Sequence, residues 1–360
     1  MAGMLQGVVP DANSIIREDI ERISKAALPW EQLRNKTVLV TGGAGFLAAY
    51  FVKALLTAGR QRELNIRVVC IARNAKSVAM RLSGCIGAPD FSVFEHDISK
   101  PLPKDFERAD FIVHAASQAS PKYYGIDPVG TLLANSTGTM YLLDHAVRSH
   151  SEKFLFFSSG EVYGTPFNGG QPLGEQDYGY LDPMRVRSCY AESKRVGETM
   201  CAAWAQQHGL HTSVVRPFHT YGPGIALDDG RVFADFVADV VAHRDIVLKS
   251  DGLAQRPFCY IADATIGFLT VLLQGNQSEA YNVGNPNAEI SIRELATLVA
   301  GLFPERGIGT RIEGALRSND TYLPSPVSRS CPAIDKIKKL GWSPTTGLED
   351  GFRRTISSFL

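Results

Sequence analysis

The chain has 360 residues, 44% hydrophobic and 21% charged, enough to bury the core of one large domain or two merged ones. Its 37 Lys and Arg offset 37 Asp and Glu, and a net charge of zero leaves no expectation of a nucleic-acid or anionic-membrane partner. Six scattered cysteines with no C-x-x-C pair read as reduced thiols rather than metal ligands, and with no apolar run near the roughly 18 residues of a membrane span, and no basic-then-apolar leader, a cytoplasmic protein is expected.

In residues 1–35, Ile15, Ile16, Asp19, Ile20, Ile23 and Ala27 fall on one helical stripe. They predict an appended helix that packs on its own domain or on a partner subunit. Thr37-Val38-Leu39-Val40 reads as a buried strand running into Gly42-Gly43-Ala44-Gly45-Phe46-Leu47-Ala48 and a helix through about Ala58. A second strand follows at 67–71, with shorter apolar strands at 92–94, 111–113 and 154–157, separated by helical stretches such as 131–149. Strands alternating with helices predict an α/β fold, a Rossmann-type doubly wound parallel sheet. A helix from about Tyr190 through Trp204 and a strand at 212–216 precede the break at Gly222-Pro223-Gly224. The expected division is a helical extension (1–35), a dinucleotide-binding domain with its catalytic helix (36–215), and a smaller, mainly substrate-binding lobe (216–360) interleaved with it.

Two motifs carry chemistry. Glycines between a strand and a helix N-terminus let backbone approach a pyrophosphate, which unpaired amides and the helix dipole then hold. Gly42 and Gly45 serve the turn and the close approach, and Ala48 the helix–sheet contact. The second motif is Tyr190-Ala191-Glu192-Ser193-Lys194, following a strand that ends Phe156-Phe157-Ser158-Ser159. A tyrosine and a lysine four apart share one helix face, where the ammonium can lower the phenol and let it exchange a proton beside a hydride carrier. At the end of the second strand, where an acid usually holds the adenosine ribose, the chain has Ala72-Arg73-Asn74. Arg73 suits either a 2′-phosphate or stacking on adenine, so NADP stands beside NAD as cofactor. Asp97-Ile98, after the third strand, fits an adenine-amine contact or a strand-end turn.

Together with His114-Ala115-Ala116-Ser117, Ser158-Ser159-Gly160-Glu161-Val162-Tyr163-Gly164, Asp229-Gly230-Arg231, Arg256-Pro257-Phe258-Cys259-Tyr260 with Asp263, and Leu340-Gly341-Trp342, these residues resemble the extended short-chain dehydrogenase/reductases. The resemblance covers about residues 36–355 and points to the nucleotide-sugar epimerases, dehydratases and decarboxylases. Arg187-Ser188-Cys189-Tyr190, the run from Lys194 to Cys201, Ala119-Ser120-Pro121 and Asp229-Gly230-Arg231-Val232 are similar to the UDP-glucuronate decarboxylases. It implies a nucleotide-diphosphate sugar as substrate, a homodimer, and a redox cycle through a 4-keto sugar, which favours NAD as the resident cofactor. By resemblance, Ser159, Glu161, Tyr190 and Lys194 are catalytic, with Tyr190 the base for the C4 hydroxyl, Lys194 holding the nicotinamide ribose, and Phe46, Leu47, Ala115 and Ala116 further cofactor contacts. Arg231 and Arg256 fit a diphosphate, since guanidinium forks match phosphate oxygens. Arg187 fits a substrate carboxylate or a second subunit, Tyr124 the sugar pocket or core, and His219 replaces an asparagine near the diphosphate. The chain departs from the decarboxylases at Gly160, at Gly130 in place of a lysine, and at Gly224 in place of an arginine.

Overall fold

The computed structural model describes residues 7–313 and 327–360. The chain enters through helix α1 (Ser14–Ser24), capped by the Asn13 side chain, and then lays down β1 (Thr37–Thr41), α2 (Phe46–Gln61), β2 (Arg67–Ala72), α3 (Ala75–Arg81), β3 (Phe91–Glu95) and β4 (Phe111–His114). Helices α4 (Pro128–Asn135) and α5 (Thr137–Ser149), strand β5 (Lys153–Phe157), helix α6 (Cys189–His208) and strand β6 (Thr212–Pro217) follow. With a late strand, Glu279–Val283, they form one seven-stranded parallel sheet in the order β3, β2, β1, β4, β5, β6 and 279–283. This is the doubly wound α/β sheet that the alternation predicted.

Strand side chains alternate between two cores, as the period of two requires. Val38, Val40, Val68, Cys70, Phe111, Val113, Leu155 and Phe157 join α1, α2 and the helix Ile261–Gln274 on one face. Leu39, Val69, Ile71, Ile112, Phe154 and Phe156 join Leu142, Leu143 and Ala146 of α5 and Cys201 of α6 on the other. All six cysteines are buried and free. Among the described residues no helix is long and apolar enough to cross a membrane.

Two sequence expectations change, and one strand is new. The helical stretch 131–149 is two helices: Ser136 breaks it, its hydroxyl bonding back to the Leu132 carbonyl (2.6 Å). Helix α1 stops at Ser24, so Ala27 is exposed and off the stripe, because the chain turns before Pro29. The strand Glu279–Val283, with Glu279 and Asn282 among its five residues, is too polar to read from sequence. Its Asn282 is buried, donating to the Leu173 and Ala333 carbonyls.

The N-terminal helix lies on its own chain. Ile16, Ile20 and Ile23 enter the first core, while Asp19, on the same stripe, is 2% exposed. Its carboxylate accepts from the Tyr260 hydroxyl (2.7 Å), the Arg354 guanidinium (2.9 Å) and the Tyr50 hydroxyl (3.3 Å). Burial raises the Asp19 carboxyl despite these partners. Asp19→Ala strands three donors around one acceptor site, so it is expected to cost about 3 kcal/mol of stability, read as a lowered denaturation midpoint. A midpoint equal to that of the parent would show that the cluster is dispensable.

Candidate active site

In an open parallel sheet a crevice forms where the strand order reverses, and here that point lies between β1 and β4. Gly42 leaves β1 with φ +78°, and a Cβ there would lie 2.7 Å from the Ala116 Cα. The Gly42 amide donates to Ile71 and its carbonyl accepts from Gly45 (2.8 and 2.7 Å), which closes the turn. Gly43 has a role that sequence reasoning missed: a side chain there would overlap the Cys70 sulfur. Gly45 caps α2 without a side-chain hydrogen bond, leaving the amides at Phe46 and Leu47 for a ligand. Across the crevice, the Thr41 hydroxyl joins the His114 ring (2.9 Å) and accepts from the Ala116 amide (3.1 Å), which fixes Ala115 and Ala116 against the loop. Burial, and then Lys194, push His114 down to about 3, so it is a neutral strut. The buried Ser117 Oγ and Gln118 Oε1 have no partner among the described residues. A glycine cradle, an uncapped helix N-terminus and orphaned polar atoms together fit a dinucleotide such as NAD.

Arg73 is exposed beyond β2, where its charge reaches the carboxylates of Asp97 and Asp127. Burial alone would raise Asp97, but two hydrogen bonds from Ser99 (3.0 and 2.8 Å) and then Arg73 hold it below its usual range. Asp97 thus makes the strand-end turn, and Ile98 beside it is buried against Gly138. Two carboxylates beside Arg73 oppose a 2′-phosphate there and favour NAD over NADP. Gly130 also gains a reason. A Cβ would run into the Asp127 carboxylate that caps α4.

On the substrate side, Ser159 follows β5 by two residues and heads the turn Gly160–Tyr163, its hydroxyl accepting from the Glu161 amide (3.2 Å). Tyr190 lies in the first turn of α6 and hydrogen-bonds Ser159. Lys194, one turn on, is 1% exposed and donates to the Phe157 carbonyl (2.6 Å), with its ammonium 5.7 Å from the Tyr190 ring centre. The expectation of a phenol brought toward neutrality is not met in this pocket. Burial pushes Tyr190 up to about 12, and the influences that pull it back are the Ser159 bond, Arg231 and Arg187. Burial also brings Lys194 down to about 7.

Tyr124 stacks on Tyr190 (ring centres 5.2 Å apart, planes 17°) and turns its hydroxyl to the Ala119 carbonyl (3.0 Å). It is a buried wall behind the base rather than a hydroxyl aimed at a sugar. Over its other side lies the Arg187 guanidinium, 5.0 Å from the ring centre. Arg187 forks onto Glu161 with bonds of 2.7 and 3.1 Å, so two residues singled out separately form one bidentate pair. Arg231 makes a similar fork with Asp229, a partner sequence reasoning did not assign. Arg256 spends donors on the Gln255, Val327 and Ser328 carbonyls (2.7, 2.7 and 3.0 Å). His219 stands in a strained backbone (φ +30°) with its Nδ1 buried and without a partner among the described residues. Burial, then Arg256 and Arg231, push it well below its ordinary range, so it is neutral. Gly224 receives Arg81 of α3 at its carbonyl and faces Ile16 of α1. Among the described residues no cluster of three His, Cys, Asp or Glu side chains could hold a metal ion.

Comparison with known proteins agrees with this geometry. A family model described as the NAD dependent epimerase/dehydratase family matches residues 38–284. UDP-glucuronic acid decarboxylase 6 of Arabidopsis thaliana is 36% identical over 319 residues, 88% of this chain and 87% of its own. UDP-glucuronic acid decarboxylase 1 of Xenopus tropicalis is 35% identical over 327 residues, 90% of this chain and 72% of its own. Among solved structures, UDP-glucuronic acid 4-epimerase from Bacillus cereus, in complex with UDP-glucuronic acid and NAD, superposes with a TM-score of 0.74 at 21% identity, covering 90% of this chain and 98% of that one.

Gly42→Ala tests the crevice. The left-handed backbone and the approach to Ala116 both oppose a methyl group, so NAD affinity measured by calorimetry is expected to fall at least about tenfold while the fold persists. Unchanged affinity would place the dinucleotide elsewhere.

Proposed function

The chain belongs to the NAD dependent epimerase/dehydratase family, and within it we propose that the protein decarboxylates UDP-glucuronate to UDP-xylose through a transient 4-keto sugar. The observation that carries this reading is the Arg187–Glu161 fork beside Tyr190, a guanidinium already presented to a carboxylate in the pocket of the base. Bound NAD supplies the hydride acceptor that oxidises C4 and the donor that later restores it. Residues 42–48, with Ala115 and Ala116, hold it in the β1–β4 crevice, and Lys194 orients its ribose.

Tyr190 takes the C4 hydroxyl proton, with Ser159 bonded to the same oxygen. The substrate carboxylate shares the Arg187 fork with Glu161, which fixes the sugar face and keeps the guanidinium aimed when the pocket is empty. Once C4 is a ketone, the carboxylate on C5 is β to a carbonyl. The bond from C5 to the carboxyl carbon breaks, carbon dioxide leaves, and the electron pair moves onto the C4 oxygen until C5 takes up a proton. Arg231 and Arg256, whose charges both act on the neutral His219, would hold the diphosphate. Gly160 supplies no proton donor for a 4,6-dehydration, and any side chain there would meet the Phe218 ring at 2.9 Å.

Incubated with UDP-glucuronate, the protein is expected to release carbon dioxide and form a UDP-pentose, identified by mass spectrometry, and Tyr190→Phe to slow this by about 10²- to 10⁴-fold. A product of unchanged mass and new retention time would make it a 4-epimerase instead. No turnover of any nucleotide sugar would leave it a non-catalytic dinucleotide-binding protein.

We further propose a homodimer. Val129, Leu132 and Leu133 of α4 recur at helical spacing on an exposed face, and Val196 of the adjoining α6 is exposed too. Two such faces related by a twofold axis make a four-helix bundle, the self-complementary packing of a C2 pair. Light scattering is expected to give the dimer mass for the parent and the monomer mass for Leu133→Glu. A monomeric parent would refute the proposal.

A further inference from the structure

Glu198, one turn beyond Lys194 on α6, takes no part in the reaction above. Its Oε1 accepts from the Ser158 hydroxyl and from Arg216 Nε (2.9 Å), and its Oε2 from Arg216 Nη2 (2.6 Å). Arg216, on β6, is 1% exposed, and its remaining donors reach the Tyr163 hydroxyl (2.9 Å), the Glu175 carbonyl (2.9 Å) and the Tyr178 hydroxyl (3.2 Å). Ser158 precedes Ser159, and Tyr163 closes the turn that carries Glu161. One carboxylate therefore ties the helix of Tyr190 and Lys194 to the strand end of Ser159 and the turn of Glu161.

We propose that Glu198 is a positioning residue for the reaction, its carboxylate locking the Ser158–Ser159 strand end onto the catalytic helix and standing as the negative charge one helical turn from the Lys194 ammonium. The groups around Lys194 leave no other source for that charge among the described residues. On α6 they are the Tyr190 phenol and the Cys201 thiol, both pushed up by burial and so neutral. On β4 stands the neutral His114, and on β5 the Phe157 carbonyl and the Phe156 ring, 4.9 Å from the ammonium. Burial draws Lys194 down, and Glu198 is the largest influence opposing it. Removing the Glu198 charge also leaves the buried Arg216 cation uncompensated on the same side, which acts in the same direction.

The test rests on the roles proposed for Tyr190 and Lys194, so one arm needs no sugar at all. NAD affinity is measured by calorimetry across pH for the parent and for Glu198→Gln, which keeps the shape and loses the charge. A lysine with its pKa lowered further loses its proton at lower pH, so the alkaline fall in affinity should move down by about one pH unit. The alkaline limb of turnover with UDP-glucuronate should move with it, at nearly constant KM. Identical pH profiles for variant and parent would overturn the proposal. Ser158→Ala breaks the strand link and leaves the charge, so kcat should fall about tenfold with the limb unmoved. Parent-like kcat in Ser158→Ala would overturn the positioning role, also when Glu198→Gln does not fold. If the parent turns over no UDP-glucuronate, the decarboxylase reading fails while the calorimetric arm still decides the role of Glu198.

Discussion

The reversal of strand order between β1 and β4 governs everything chemical in this protein. Elsewhere in the sheet, successive crossovers leave on the same side and their loops cover one another. At the reversal they depart in opposite directions, and the backbone at Gly42 and at Ala116 is left facing an open crevice. The adjoining strand β5 then delivers Ser159 along the same edge, and α6 lays Tyr190 and Lys194 across it. A site assembled from the carboxyl ends of parallel strands inherits its geometry from the register of the ladder, which packing on both faces holds in place.

Burial is the second organising force, and it works against the simplest picture of the catalytic pair. Phenol and ammonium are both nearly out of water, so each is driven toward its neutral form. What opposes burial is partly remote: after Ser159, Arg231 and Arg187 act on the phenol, and Glu198 acts on the ammonium. The pair works as members of a wider set of ions, most of them held by bidentate contacts that keep orientation as well as charge.

Much of this was legible in the sequence, for identifiable reasons. The seven-stranded sheet was readable for six of its strands because strands buried on both faces must be apolar runs, and the glycine loop because a turn against a pyrophosphate tolerates few residues. The seventh strand was hidden because Asn282 satisfies its polar side chain in the interior, which no periodicity rule anticipates. Glu161 and Arg187 could be named singly, but not as partners, since they lie 26 positions apart in the chain. Asp19 sat openly on an apolar stripe, and a lone acid at a core position was the available hint that donors awaited it from distant parts of the chain.

That last feature bears on how the molecule comes into being. The Asn13 side chain donates to the carbonyl of Ser358, a contact spanning 345 residues, and Asp19 meets Arg354 across 335. Contacts so remote in sequence raise the contact order and delay closure of the native topology. On the ribosome the apolar stripe of α1 is made long before the helix Leu348–Ser357 that it packs beside. The first core therefore keeps one of its seams open until that later helix is made.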